Sequence, residues 1–220
     1  MLNNTTANVI CRIVFGRRFE YDDEELQGIL RGFFENFSTI SGIYRRRICR
    51  VVLDFFAAGT ETTSTALSWA ILYLCLYPDV QTKVQSELDT VVGRGRQPAI
   101  SDRARLPYCE ATLMESMRIR PVLPLSLPHT TSRSVSLGGF TIPQGNDHHP
   151  NIWAAHHDPE VWDDPDDFRP ERFLENHDSP TVKKNDSWIP FGLGRRECLG
   201  AQLAKMESFL LFRDLNSNSS

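Results

Sequence analysis

A chain of 220 residues, 40% apolar and 24% charged, can bury one sizeable core or two small ones and has the make-up of an ordinary soluble globular protein. Its net charge of −4 gives no footing for nucleic-acid binding, and the basic run YRRRICR over 44–50 is too short and isolated to supply one. Five cysteines, Cys11, Cys49, Cys75, Cys109 and Cys198, are an odd number with no CxxC pair, which argues against both a disulfide scaffold and a zinc ribbon.

In chain order, residues 1–40 read as helices on either side of the charged turn RRFEYDDEEL: first the apolar NVICRIVFG, then the amphipathic LQGILRGFFENF. A long apolar-rich pattern from Val51 to Tyr77, stopped by Pro78, predicts a buried central helix. Its longest charge-free apolar stretch, LSWAILYLCLY over 67–77, falls well short of the roughly 20 residues of a membrane span. PDVQTKVQSELDTVVG predicts a helix from Pro78 that ends on Gly93, and LPYCEATLMESMRIRP another bounded by Pro107 and Pro121. After Pro121, short apolar runs broken by Pro, Gly and Ser predict two or three short strands with tight turns. Residues 150–190, rich in Pro, Asp, Trp and His, predict a long ordered loop. From Leu199, LGAQLAKMESFLLF predicts a last amphipathic helix, followed by a frayed polar tail, DLNSNSS.

Four stretches could carry chemistry. In FGLGRRECLG (191–200), Cys198 lies on a loop between Gly194 and Gly200, just before a helix whose N-terminus favours negative charge. Residue chemistry alone leaves a working thiolate and an inert turn cysteine equally open. In FFAAGTETTS, an acid beside an alcohol, Glu61 and Thr62, inside an apolar helix is costly unless both find partners; Thr62 could bond back to a carbonyl one turn earlier. Glu115 and Arg118 in ESMR share one helix face, a pair worth only a few tenths of a kcal/mol if exposed. His148, His149, His156 and His157 are chemically apt for zinc or copper, yet their spacing fits no usual ligand pattern.

Taken together, these stretches resemble the cytochrome P450 family. Phe191, Gly194, Arg196, Cys198 and Gly200 match its haem-binding signature FxxGxRxCxG; AAGTETT looks like its AGx[DE]T, ESMR its ExxR and FRPERF its PxRF. The resemblance implies a mainly α fold with a small β region, here a partial cytochrome P450 fold. It implies heme b held by the Cys198 thiolate, whose electron donation favours O–O cleavage. Phe191 would pack beside the haem and thiolate, Arg196 would pair with a propionate, and His129 in SLPHTT would donate to one. Glu61 and Thr62 would deliver protons during dioxygen reduction, with Ala58 and Gly59 as the small surface against the haem. Glu115, Arg118 and Arg172 would form a buried ionic triad that locks the cysteine loop, and Leu123, Leu125, Ser126 and Leu127 would touch substrate.

The implied function is a haem-thiolate monooxygenase that inserts one atom of dioxygen into a small lipophilic substrate. Electrons would come from an NADPH-dependent flavoprotein reductase docking near Arg195, Arg196 and Lys205. The family location is the endoplasmic reticulum membrane. The family's N-terminal anchor is absent from this sequence, so a peripheral or cytoplasmic placement is expected.

The resemblance is discontinuous. Residues 1–42 look like a segment of the family's N-terminal helical part, and 51–220 like the central helix through to the last helix. Residues 43–50 form a junction where several helices that roof the substrate pocket are missing. Asn146, Asp147, His148 and His149 depart from the family's strand pattern, and Glu197 puts a negative charge beside the cysteine. A non-catalytic product of a shortened transcript or decayed gene, with weak or no haem binding, is therefore the competing expectation. Leaving half of the central helix's large apolar residues uncovered would forfeit on the order of 10 kcal/mol.

Overall fold

The computed structural model describes residues 2–24, 26–28, 47–97, 99–175 and 181–217. Within these, helix α1 (Leu2–Phe15) is followed by the long central helix α2 (Arg47–Leu76), then α3 (Pro78–Val91), α4 (Pro107–Ile119), a short α5 (Ile152–His156) and α6 (Ala201–Ser217). Pro78 and Pro107 each stand at the first position of their helix, where a missing N–H costs nothing. Gly93, at φ 73°, accepts the left-handed turn that ends α3. Short strands make three separate antiparallel pairs: His129–Thr130 (β1) with Asp147–His148 (β4), Val135–Leu137 (β2) with Phe140–Ile142 (β3), and Leu174–Glu175 (β5) with Thr181–Val182 (β6). The expected mainly α architecture with a small β region is what forms.

Three boundaries differ from the sequence reading. The central helix begins at Arg47, so the last four residues of the 43–50 junction are helical; residues 43–46, and most of LQGILRGFFENF, lie outside the described residues. Helix α6 runs on through Asp214 to Ser217, into the predicted tail. The 150–190 segment holds α5, the β5–β6 pair and a 3-10 turn at Pro170–Phe173.

Helix α4 is the hub. Apart from Glu110, its residues from Pro107 to Ile119 are buried, Thr112, Glu115, Ser116 and Arg118 among them, because other elements surround the helix. Its first free N–H groups, those of Tyr108 and Cys109, are capped by the Glu87 carboxylate of α3 at 2.8 Å each. The main core joins Leu67 and Leu74 of α2, Val84 of α3, Leu113 of α4 and Phe209 and Phe212 of α6. A second cluster seats Ile10 and Cys11 of α1 on Phe56 of α2, with Leu203 of α6 against it.

The central helix is better covered than half-exposure would have it. Among its described residues, Phe55, Leu72 and Leu76 are the large apolar side chains that remain exposed, while Phe56, Leu67, Tyr73 and Leu74 are buried. Gly59 belongs to this covering contact: a Cβ there would sit 2.7 Å from Ile10 Cδ1. Its small size admits Ile10 of α1. No helix among the described residues is long and apolar enough to cross a membrane.

Candidate functional site

The buried ionic cluster is the best-defined polar site. The carboxylate of Glu115 accepts from Arg118 Nε (2.7 Å) and Nη2 (2.9 Å), from Arg172 Nε (3.0 Å) and from the backbone N–H of Arg169 (2.9 Å). Both side chains of the Glu115–Arg118 pair are 0% exposed, and that of Arg172 only 6%. The i, i+3 spacing on α4 aligns Glu115 with Arg118, and Pro170 opens the 3-10 turn that carries Arg172 to them. The remaining guanidinium donors go to backbone carbonyls: Arg118 to His156, Pro165 and Asp167, and Arg172 to Asp163, Asp164 and Asp167. Charges buried this deeply survive because each carboxylate oxygen and each guanidinium nitrogen has a partner.

Cys198 stands on a loop closed by its own backbone N–H, which donates to the Phe191 carbonyl at 2.9 Å. Gly192 (φ 76°) and Gly194 (φ 72°) supply the left-handed turns of that loop. The thiol is exposed, as are Arg195, Arg196, Glu197 and Gly200. Around it Leu193 is 66% and Leu199 98% exposed, an apolar rim that nothing among the described residues covers. Phe191 is half-buried, edge-on to Trp188 at 6.3 Å, with the Lys205 ammonium 5.2 Å from its ring centre. Lys205 thus leans on two aromatic faces.

Leu203, five residues after the cysteine, packs in the cluster of Phe56, so the start of α6 lies against the part of α2 just before Ala58, Glu61 and Thr62. Ala58 is exposed there. Thr62 donates its hydroxyl back to the Ala58 carbonyl, the local bond foreseen from sequence. Glu61 is exposed, so the desolvation cost expected of an acid inside an apolar helix does not arise. The helix is α throughout from Ala57 to Thr65.

His129 is half-buried in β1 and meets His148 of β4 edge to face at 5.7 Å. On the segment before it, Leu123, Leu125 and Leu127 are exposed and Ser126 takes a left-handed φ of 54° in a turn. The four histidines do not come together as one group. His148 and His149 lie at the β4 edge; His157 bonds the Trp153 carbonyl (2.9 Å) and stacks on its indole.

The roles of two residues escaped the sequence reading. His156 is fully buried and uses both ring nitrogens: Nε2 accepts from the Ile189 N–H (2.9 Å), so Nδ1 carries the proton and donates to the Arg118 carbonyl (3.2 Å). Burial holds its pKa down to about 4, which keeps it neutral. Glu207 of α6 is buried with Oε1 lacking a hydrogen-bond partner among the described residues, and burial pushes its pKa up to about 8. The one available sign of Glu207 was an acid at a core-facing position of an amphipathic helix; His156 gave none, since its partners lie 33 and 38 residues away.

Comparison with known proteins is consistent with this arrangement. The family model described as Cytochrome P450 matches residues 41–215. Human "Cytochrome P450 2U1" is 48% identical over 165 residues, covering 75% of this chain and 30% of that protein. Chicken "Steroid 17-alpha-hydroxylase/17,20 lyase" is 50% identical over 157 residues, 71% of this chain and 31% of that protein. Rabbit "Cytochrome P450 1A1" is 34% identical over 282 aligned positions, 96% of this chain and 54% of the relative. The chain spans about a third of the length of the human and chicken relatives. A family match across most of the sequence, meeting a cysteine loop and a buried Glu–Arg–Arg cluster in one fold, identifies the chain as a member of the cytochrome P450 family.

Proposed function

We propose that this chain supplies the thiolate-bearing half of a haem monooxygenase site. The observation that carries the proposal is the exposed Cys198 thiol on a self-closed loop ringed by exposed Leu193 and Leu199. The donor set fits haem: one soft sulfur ligand, an apolar rim for the porphyrin face, and an exposed guanidinium, Arg196, for a propionate. His129 is a second propionate donor and Gly194 and Gly200 leave the loop without side-chain bulk, with Ala58 as the small residue on α2.

Bound through the thiolate, haem would supply dioxygen activation, with one oxygen atom going to substrate and the other leaving as water. The chain's own residues bind and orient. Leu123, Leu125, Ser126 and Leu127 offer an apolar wall to a lipophilic substrate. Thr62 keeps its hydroxyl hydrogen on the Ala58 carbonyl, so Oγ1 accepts; passing a proton onward requires that bond to swing away, with the exposed Glu61 as the group that restores it. The triad of Glu115, Arg118 and Arg172 is structural and supports the loop. An NADPH-dependent flavoprotein reductase as electron donor, and a site at the endoplasmic reticulum membrane, belong to this same reading.

The test is spectroscopic. Purified chain reconstituted with haem and reduced under carbon monoxide is expected to show the Soret band of thiolate ligation, and Cys198→Ser to lose it. A wild-type chain without that band sinks the proposal.

A second reading has its own observation. The match to the rabbit protein runs over 282 positions although this chain has 220 residues, so it bridges at least sixty positions the chain lacks. This supports an internal omission, which the sequence places at 43–50 between the 1–42 and 51–220 parts. On this reading the product is non-catalytic and binds haem weakly or not at all. A contiguous genomic sequence encoding SGIYRRRICRVV with no intron rules out a shortened transcript.

A further inference from the structure

A path of hydrogen bonds leads from the buried ionic cluster to the cysteine loop, and one side chain is its middle link. Arg118 and His156 clasp each other twice: Arg118 Nη1 donates to the His156 carbonyl at 2.7 Å, and His156 Nδ1–H to the Arg118 carbonyl at 3.2 Å. That second carbonyl lies in the last turn of α4, where helix carbonyls have no partner within the helix. From the far side of the ring, Nε2 takes the Ile189 N–H. Ile189 in turn accepts at its carbonyl from Gly192 N–H at 3.0 Å, and Phe191, two residues on, accepts from Cys198. Pro190 between them has no N–H to offer, so the Ile189 amide is the last backbone donor before Phe191, where the loop begins. A parallel tether comes from the Trp188 indole, which donates to the Met114 carbonyl of α4 at 3.0 Å.

We propose that His156 is the positioning residue through which the Glu115–Arg118–Arg172 cluster sets the entry of the Cys198 loop. The ring works as a fixed spacer. It is buried, its tautomer is dictated by its two backbone partners, and the groups facing it are the Arg118 guanidinium of α4 and its neighbour His157. Its depressed pKa keeps Nε2 an acceptor throughout the neutral range, so the link is permanent there. The link itself is independent of haem; its consequence for thiolate ligation rests on the proposed function.

Asparagine and glutamine separate the two ends of the ring. In His156→Asn the amide sits where Nδ1 was and keeps only the Arg118 end; in His156→Gln it reaches the position of Nε2 and keeps the Ile189 end. Residue-resolved hydrogen exchange on the whole chain is the readout. His156→Asn is expected to exchange the Ile189 amide about tenfold faster, the loss of one hydrogen bond. His156→Gln should stay near wild type, and the amides of α4 should be unchanged in both. Equal Ile189 exchange in the two variants overturns the assignment. If His156→Asn also loses α4 protection, the decision passes to His156→Gln: a glutamine variant that keeps α4 protected but exposes Ile189 overturns it, and one that protects both upholds it.

With haem and carbon monoxide, His156→Asn should shift intensity from the thiolate to the non-thiolate band at unchanged total haem. An unshifted band under those conditions counts against the positioning role. Should the wild type bind no haem, the proposed function fails while the exchange comparison still decides the role of His156.

Discussion

Glu115→Ala is expected to destabilise the chain by about 3–5 kcal/mol, the cost of leaving a buried cation without its partner. The substitution removes the acceptor for two Arg118 bonds, one from Arg172 and one from the Arg169 amide, at a point where no water reaches. Domains of this size are stable by only about 5–15 kcal/mol, so the loss is a large part of the whole. Urea denaturation measures it through the shift in midpoint at unchanged slope. A loss under about 1 kcal/mol would show that the cluster carries little. Arg118→Lys should cost nearly as much, because one ammonium cannot span the five acceptor atoms that the guanidinium reaches.

Glu207→Gln is expected to act in the opposite direction. The carboxyl of Glu207 titrates near pH 8 in the folded chain against an ordinary 4.5, with burial as the cause. Between those values the folded state holds a proton that the unfolded state has released, so stability falls as pH rises. At pH 7 the wild type forfeits about 3 kcal/mol by this linkage. The amide, which cannot ionise, removes that loss.

The measurement belongs between pH 6.5 and 8. Below 6.5, His156, whose pKa is depressed to about 4, contributes the reverse slope: the unfolded state gains the proton first, and stability falls as pH drops. Over the upper window the wild type should lose about 2 kcal/mol and Glu207→Gln should stay level, while the two should agree near pH 4.5. Parallel pH profiles would mean that Glu207 is neutralised by a partner and not by burial.

Much of the fold was legible because it rests on local signals. Pro78, Pro107 and Gly93 mark helix ends by their own backbone limits, and the apolar spacing of α2, α3 and α4 follows from which faces they bury. The ionic cluster was legible in its parts, ESMR and FRPERF, although only resemblance joined them. The misses have a common physical source. Whether Glu61 is buried depends on what lies across from it, and the contact of Gly59 with Ile10 was hidden because Ile10 is 49 residues away in sequence. His156 looked like half of a histidine pair, since nothing near it names an amide and a carbonyl from two other elements as its partners.

The acid-rich stretch from His156 to Asp167 has almost no backbone ladder of its own, yet it is ordered because two arginines collect its carbonyls. A carbonyl is present whatever the side chain. The information that shapes this stretch is therefore written elsewhere, in α4 and the Pro170–Phe173 turn. Of its exposed aspartates, Asp163 also pairs with Arg169 and Asp164 holds a left-handed φ of 45°, but the carbonyls themselves are held by two guanidinium groups that solvent hardly touches.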